Sequence, residues 1–295
     1  QLGGPEISRY VLAPLCVGLM TLALAFGNAI MLKIAQFVVY PLIVALAAVS
    51  LYLISQWDLG SFMEAGDHTA GGVIKAIILI LPVLVFSFSF VAAISQFSLG
   101  MEKEYGADHH AQSDKVIRNS AILLTVFTMF FVWSCALAMG ADGMQEANDK
   151  NLPVLSYFAN ETGTPFMAYM APIVVICAVA SSYFGHALGT IEGSQYLFNL
   201  AAPKATKKMS ARTLDLWTYL FIFIATSLVG IFNPSILDMI SVVGGVFFAF
   251  MTYLLPIWVI YRVDALARFR GKKTNYFVAV MGFIVLFATI WGMFQ

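Results

Sequence analysis

His186 and Glu192 stand inside one long apolar run, 166–198, in the stretch Ser181-Ser182-Tyr183-Phe184-Gly185-His186-Ala187-Leu188-Gly189-Thr190-Ile191-Glu192-Gly193. An ionisable side chain inside hydrocarbon is expensive, so both are expected to face an interior or a cavity and to be functional. Burial raises carboxyl pKa values in general and imidazole titrates near neutrality, so these residue types can exchange protons at physiological pH. Plainer readings stay open for each. His186 could be a satisfied packing residue, and Glu192 could pair with Lys204, Lys207, Lys208 or Arg212 beyond the end of the run. The hydroxyls of Ser181, Ser182 and Thr190 are possible ligands for a small cation. Gly185, Gly189 and Gly193 recur every fourth residue, which makes a stripe where another helix can approach closely.

A second unusual stretch is Phe86-Ser87-Phe88-Ser89-Phe90. It alternates with period two inside a helical context, and Pro82 one turn earlier removes a helix hydrogen bond. A helix over 72–100 would be about 43 Å long, against about 30 Å of hydrocarbon. These features predict an unwound or kinked segment, which lipid tolerates only where protein or water surrounds it. The alternative is serines bonding back to their own helix carbonyls. A third run, 236–261, opens with Asn233-Pro234-Ser235 and carries Asp238, Gly244-Gly245 and Pro256. Asp238 suits a helix N-terminus, and the glycine pair suits close packing or a flexing point.

The elements that must position these residues are membrane helices. The chain of 295 residues is 60% hydrophobic and only 11% charged, with a mean hydropathy of +0.85. Apolar runs repeat along its whole length, and about 20 such residues cross a bilayer. Eight spans are expected: 10–27, 34–56, 73–99, 120–140, 166–198, 216–232, 236–261 and 276–294. Of the sixteen Lys and Arg, thirteen fall in one alternate set of loops (28–33, 100–119, 199–215, 262–275), leaving Arg9, Lys75 and Lys150 for the other. Such asymmetry places the basic loops in the cytoplasm and both chain ends outside it. The opposite loops are acidic, with Asp58, Glu64, Asp67, Asp142, Glu146, Asp149 and Glu161. Within 141–163, an apolar stretch after Asn151-Leu152-Pro153 suggests a short surface or re-entrant helix.

Other chemistries find little support. Cys16, Cys135 and Cys177 are far apart in sequence and read as packing residues. His109-His110 lacks a third ligand nearby, so a solvated loop is the better reading than a metal site. No HExxH, GxSxG or Cys-His arrangement points to an enzyme, and no charge ring or filter repeat points to a channel. A receptor that does not transport would leave His186 and Glu192 without a role. No cofactor and no nucleic-acid partner are expected.

The phrase Phe184-Gly185-His186-x-x-Gly189-Thr190-x-Glu192-Gly193, with the looser Phe86–Phe90 stretch and the Gly244-Gly245 run, resembles the hydroxy/aromatic amino acid permease family. The nearest likeness is to its serine and threonine proton symporters of the bacterial inner membrane. That resemblance implies an all-α polytopic protein of the amino acid/polyamine/organocation superfamily, with the LeuT-type fold of two inverted repeats. This sequence then holds the last eight of eleven helices, with the first three outside it. Residues 1–56 end the first repeat, 72–261 form the second, and 276–295 add a helix, all in one transporter domain. The resemblance also implies a broken helix at Phe86, Ser87, Phe88, Ser89 and Phe90 that lines the substrate site. Proton coupling is expected through Glu192, with His186 the second candidate and Gly185, Gly189, Gly193, Gly244 and Gly245 in packing or gating. Sodium coupling is the runner-up.

Overall fold

A computed structural model describes residues 8–64 and 69–293, and Asp67 lies outside them. The described chain is helical throughout, with no strand. In order come α1 (Arg9–Leu24), α2 (Asn28–Leu53), α3 (Leu59–Glu64), α4 (Ala70–Phe88), α5 (Val91–Tyr105), α6 (His109–Asp149), α7 (Val154–Thr162) and α8 (Pro165–Ala201). There follow the short α9 (Pro203–Thr206), α10 (Ala211–Phe232), α11 (Ile236–Val242), α12 (Leu255–Arg262) and α13 (Lys273–Gly292). Between α11 and α12 the backbone widens into π-helical turns over Val243–Phe248 and Phe250–Leu254.

Among the described residues, seven helical segments, taken across their breaks, are long and apolar enough to cross a bilayer. The protein is an all-α, multi-pass membrane protein. Of the eight expected spans, the one at 10–27 is shorter than the rest: α1 has 16 residues, about 24 Å of rise. It stops because Gly27 takes φ 95°, a left-handed conformation at the turn into α2. The expected solvated loop over 100–119 is instead mostly helical, since α5 and α6 run into it from both sides. The kink that ends the fourth span lies at Gly140, with φ 65° and ψ −176°. Beyond it, the acidic segment 141–163 supplies a helical extension and α7, whose Leu155, Tyr157 and Phe158 are buried. Helix α7 begins at Val154, directly after Asn151-Leu152-Pro153, with Pro153 at its N-cap position.

Contacts divide the chain into two units. Of the described residues, the first comprises 8–64 and 92–233, the second 69–91 and 234–293. In the first unit, Val49 and Leu53 of α2 pack with Cys135 of α6, Phe158 of α7 and Met167 and Val174 of α8. A second cluster joins Leu24 of α1 to Phe184, Ala187 and Leu188 of α8, with Tyr219 of α10 against it. These contacts bury the apolar row of α8 that alternates with its polar face. The second unit centres on Val85 of α4, Ala249 of the π-helical stretch and Val285 of α13.

Candidate functional site

The fourth helix breaks where its sequence is inconsistent. Helix α4 ends at Phe88, Ser89 is extended (φ −89°, ψ 128°), and α5 begins at Val91. Pro82 is not the breaking residue: it sits buried within α4, seven residues before the gap. Ser87 and Ser89 part company here. Ser87 donates to the Val83 carbonyl at 2.8 Å, the back-bonding alternative, while the Ser89 hydroxyl lies 3.4 Å from that of Thr252. Phe86 packs edge-on against Phe248 with ring centroids 5.3 Å apart, and Phe90 is exposed.

The glycine pair explains how the π-helical stretch meets α4 and α13 in this unit. A Cβ on Gly244 would sit 2.6 Å from the Pro82 carbonyl oxygen and 2.7 Å from the Phe86 Cβ. On Gly245 it would collide with Thr289. Close packing, one of the two readings left open for Gly244-Gly245, is therefore what the pair does. A π-bulge costs helix regularity and recurs at functional positions; here it places Thr252 opposite Ser89. Asp238 occupies the first turn of α11, where Ser235 caps the helix by accepting from the Asp238 N–H.

In the first unit, α5 meets α8 at the glycine stripe. A Cβ on Gly189 would lie 3.0 Å from the Ala92 carbonyl oxygen, so the two backbones approach as closely as glycine allows. The stripe is shorter than its sequence suggests. Gly185 and Gly193 have no described neighbour within 4 Å of where a Cβ would be. One turn further along, Ser95 of α5 donates to Glu192 Oε2 at 3.0 Å.

His186 and Glu192 both lie on exposed faces of α8 in the structure, so the described residues do not enclose them in the expected interior. The His186 Nδ1–H donates to the Ser182 carbonyl at 2.8 Å. Thr190 donates to the His186 carbonyl at 2.9 Å and Ser181 to that of Ala178 at 3.1 Å. These hydroxyls spend their protons on their own helix and keep oxygen lone pairs outward. Among the described residues no three His, Cys, Asp or Glu cluster as metal ligands.

Three polar links escaped the sequence reading. Gln195 of α8 donates to Asp215 of α10 at 2.7 Å. Tyr183 donates to Thr21 at 2.6 Å; the direction is set because the Thr21 proton is given to the Val17 carbonyl. Ser95 was the third. Asp215 alone had a visible signal, a carboxylate one residue before the expected span at 216–232.

A broken span, a long helix with a polar face and closely packed glycines suit a membrane carrier. The model of the transmembrane amino acid transporter protein family matches residues 11–295, and the chain belongs to that family. It is 33% identical over 300 residues to the serine transporter SdaC of Escherichia coli K12, covering 100% of this chain and 70% of that protein. It is likewise 33% identical over 314 residues to the threonine/serine transporter TdcC of Yersinia enterocolitica, covering 99% and 71%. No solved structure matches it. The family is one of transporters, not enzymes, and an amino acid is its substrate class.

Proposed function

We propose that this protein carries serine or threonine across the bacterial inner membrane by alternating access, in symport with protons, with its basic loops on the cytoplasmic side. The break at Ser89–Phe90 carries this reading. A small zwitterion needs acceptors for its ammonium and donors for its carboxylate, and an unwound stretch supplies backbone groups of both kinds. The Ser89 hydroxyl adds a group suited to a hydroxylated side chain, with Phe86, Phe88 and Phe90 as apolar surroundings and Ser87 beside them. The names of the relatives support the substrate assignment.

Coupling is assigned to Glu192. Ser95 donates to a Glu192 carboxyl oxygen at 3.0 Å, and a hydrogen bond to an ionised acceptor is stronger than one to a neutral acceptor. Protonation weakens that hold of α8 on α5, the helix that starts directly after the break. Proton occupancy can thereby bias the arrangement of the helix leaving the substrate segment. His186 is the second candidate. Counterflow tests the carrier assignment: vesicles loaded with unlabelled serine should transiently concentrate labelled serine when the protein is present. A non-transporting receptor gives no counterflow. Repeating uptake with a pH gradient and no sodium, then with sodium and no pH gradient, separates proton from sodium coupling.

A further inference from the structure

We propose that the inner end of the second unit is a binding site for one anionic phospholipid. Two independent features meet there. The first is an apolar groove of about 580 Å³ between the 250–258 stretch and α13, lined by Phe250, Leu254, Trp258, Ala279 and Phe283. Its volume falls within the range of ligand-sized clefts, about 300–1,000 Å³, and its walls offer nothing polar to hold a solute. The second is the basic loop 262–275 at the end of the same helices.

Trp258 belongs to both features. It lines the groove, and Arg262 stacks over its ring with the guanidinium carbon 5.8 Å from the centroid. Arg268 and Lys272 hold positions 4.7 and 4.9 Å from the Phe269 centroid. The three cations are exposed. The one acid of the loop, Asp264, is taken by Arg270 at 3.1 Å. Arg270 also donates to the Ile260 carbonyl at 2.9 Å, and Asn275 to that of Phe269 at 2.8 Å. The loop is therefore held in shape by its own polar groups while these three cations, with Lys273 beside them, stay exposed. Planar guanidinium groups match phosphate oxygens in a bidentate manner. Acyl chains suit the groove and a negatively charged headgroup suits the loop, and charge complementarity selects an anionic lipid over a zwitterionic one.

Native mass spectrometry of the detergent-purified protein, titrated with phosphatidylglycerol or phosphatidylcholine, tests this. One phosphatidylglycerol should bind preferentially. The Arg262→Gln/Arg268→Gln/Lys272→Gln variant should lose that binding by on the order of 100-fold, at about fivefold per charge near an anionic surface. Ala279→Trp, which fills the groove, should weaken it as well. A control with Lys204→Gln/Lys207→Gln/Lys208→Gln in another basic loop should leave it unchanged. Equal affinity for both lipids would overturn the proposal, as would an unaffected triple variant or a control that loses as much. So would glycerol phosphate binding as tightly as the whole lipid, since the groove would then contribute nothing.

Discussion

Ser87 and Ser89 look equivalent in the sequence and are not equivalent in the structure. Ser87 is still within α4 and returns its proton to Val83, whereas Ser89 sits in extended backbone with Thr252 opposite. Ser89→Ala should therefore weaken serine binding several-fold, in line with about 1 kcal/mol for one hydrogen bond, and Ser87→Ala should change it less. Binding measured by calorimetry on both purified variants decides this; equal effects would return the two serines to one role. The partner of Glu192 could not be read in advance. Ser95 is 97 positions away, and pairing between distant helices leaves no periodicity in either. The same holds for Gln195 with Asp215 and for Tyr183 with Thr21.

At the scale of elements, the helix breaks were more legible than the helix contacts. A period-two run next to a proline conflicts with a continuous helix, and such conflict shows within a few residues. A row of glycines shows only where a neighbour can approach. Gly189 meets α5, whereas no described atom lies within 4 Å of where a Cβ on Gly185 or Gly193 would be. Gly189→Leu and Gly244→Ala should each destabilise the folded protein by about 1–3 kcal/mol through overpacking. Gly185→Ala should be neutral or slightly stabilising. Thermal unfolding in detergent separates these outcomes, and a destabilised Gly185→Ala would contradict the open space beside Gly185.

The segment after Gly140 makes a separate prediction outside the membrane. Lys150 pairs with Glu146 at 2.5 Å and approaches Glu161 at 3.9 Å, and the Tyr157 hydroxyl donates to Glu146. The Lys150 and Tyr157 hydrogen bonds hold the Glu146 carboxyl below its ordinary range. A lowered carboxyl pKa contributes stability that is present above the ordinary carboxylate range and lost as pH falls through the lowered value. Attachment of α7 should therefore loosen in acid. Hydrogen exchange across 154–162 should rise on acidification, after correction for the intrinsic pH dependence of exchange. Glu146→Gln should remove that added rise.

For the whole molecule, composition and the repeated apolar runs were enough for an all-α membrane protein, and the stretch around His186, with Phe86–Phe90 and Gly244-Gly245, was enough for its family. The proposed link between proton and substrate was not legible, because it depends on which helices meet. The structure brings Glu192 of α8 to Ser95 of α5, the helix that follows the break. If Glu192 couples transport to protons as proposed, its removal should separate movement of substrate from its accumulation. The direct measurement is radiolabelled serine uptake into proteoliposomes holding Glu192→Gln, with and without an imposed pH gradient. The variant should exchange labelled for unlabelled serine but fail to concentrate it when the gradient is applied. Uphill accumulation with the unsubstituted protein's pH dependence would contradict the assignment.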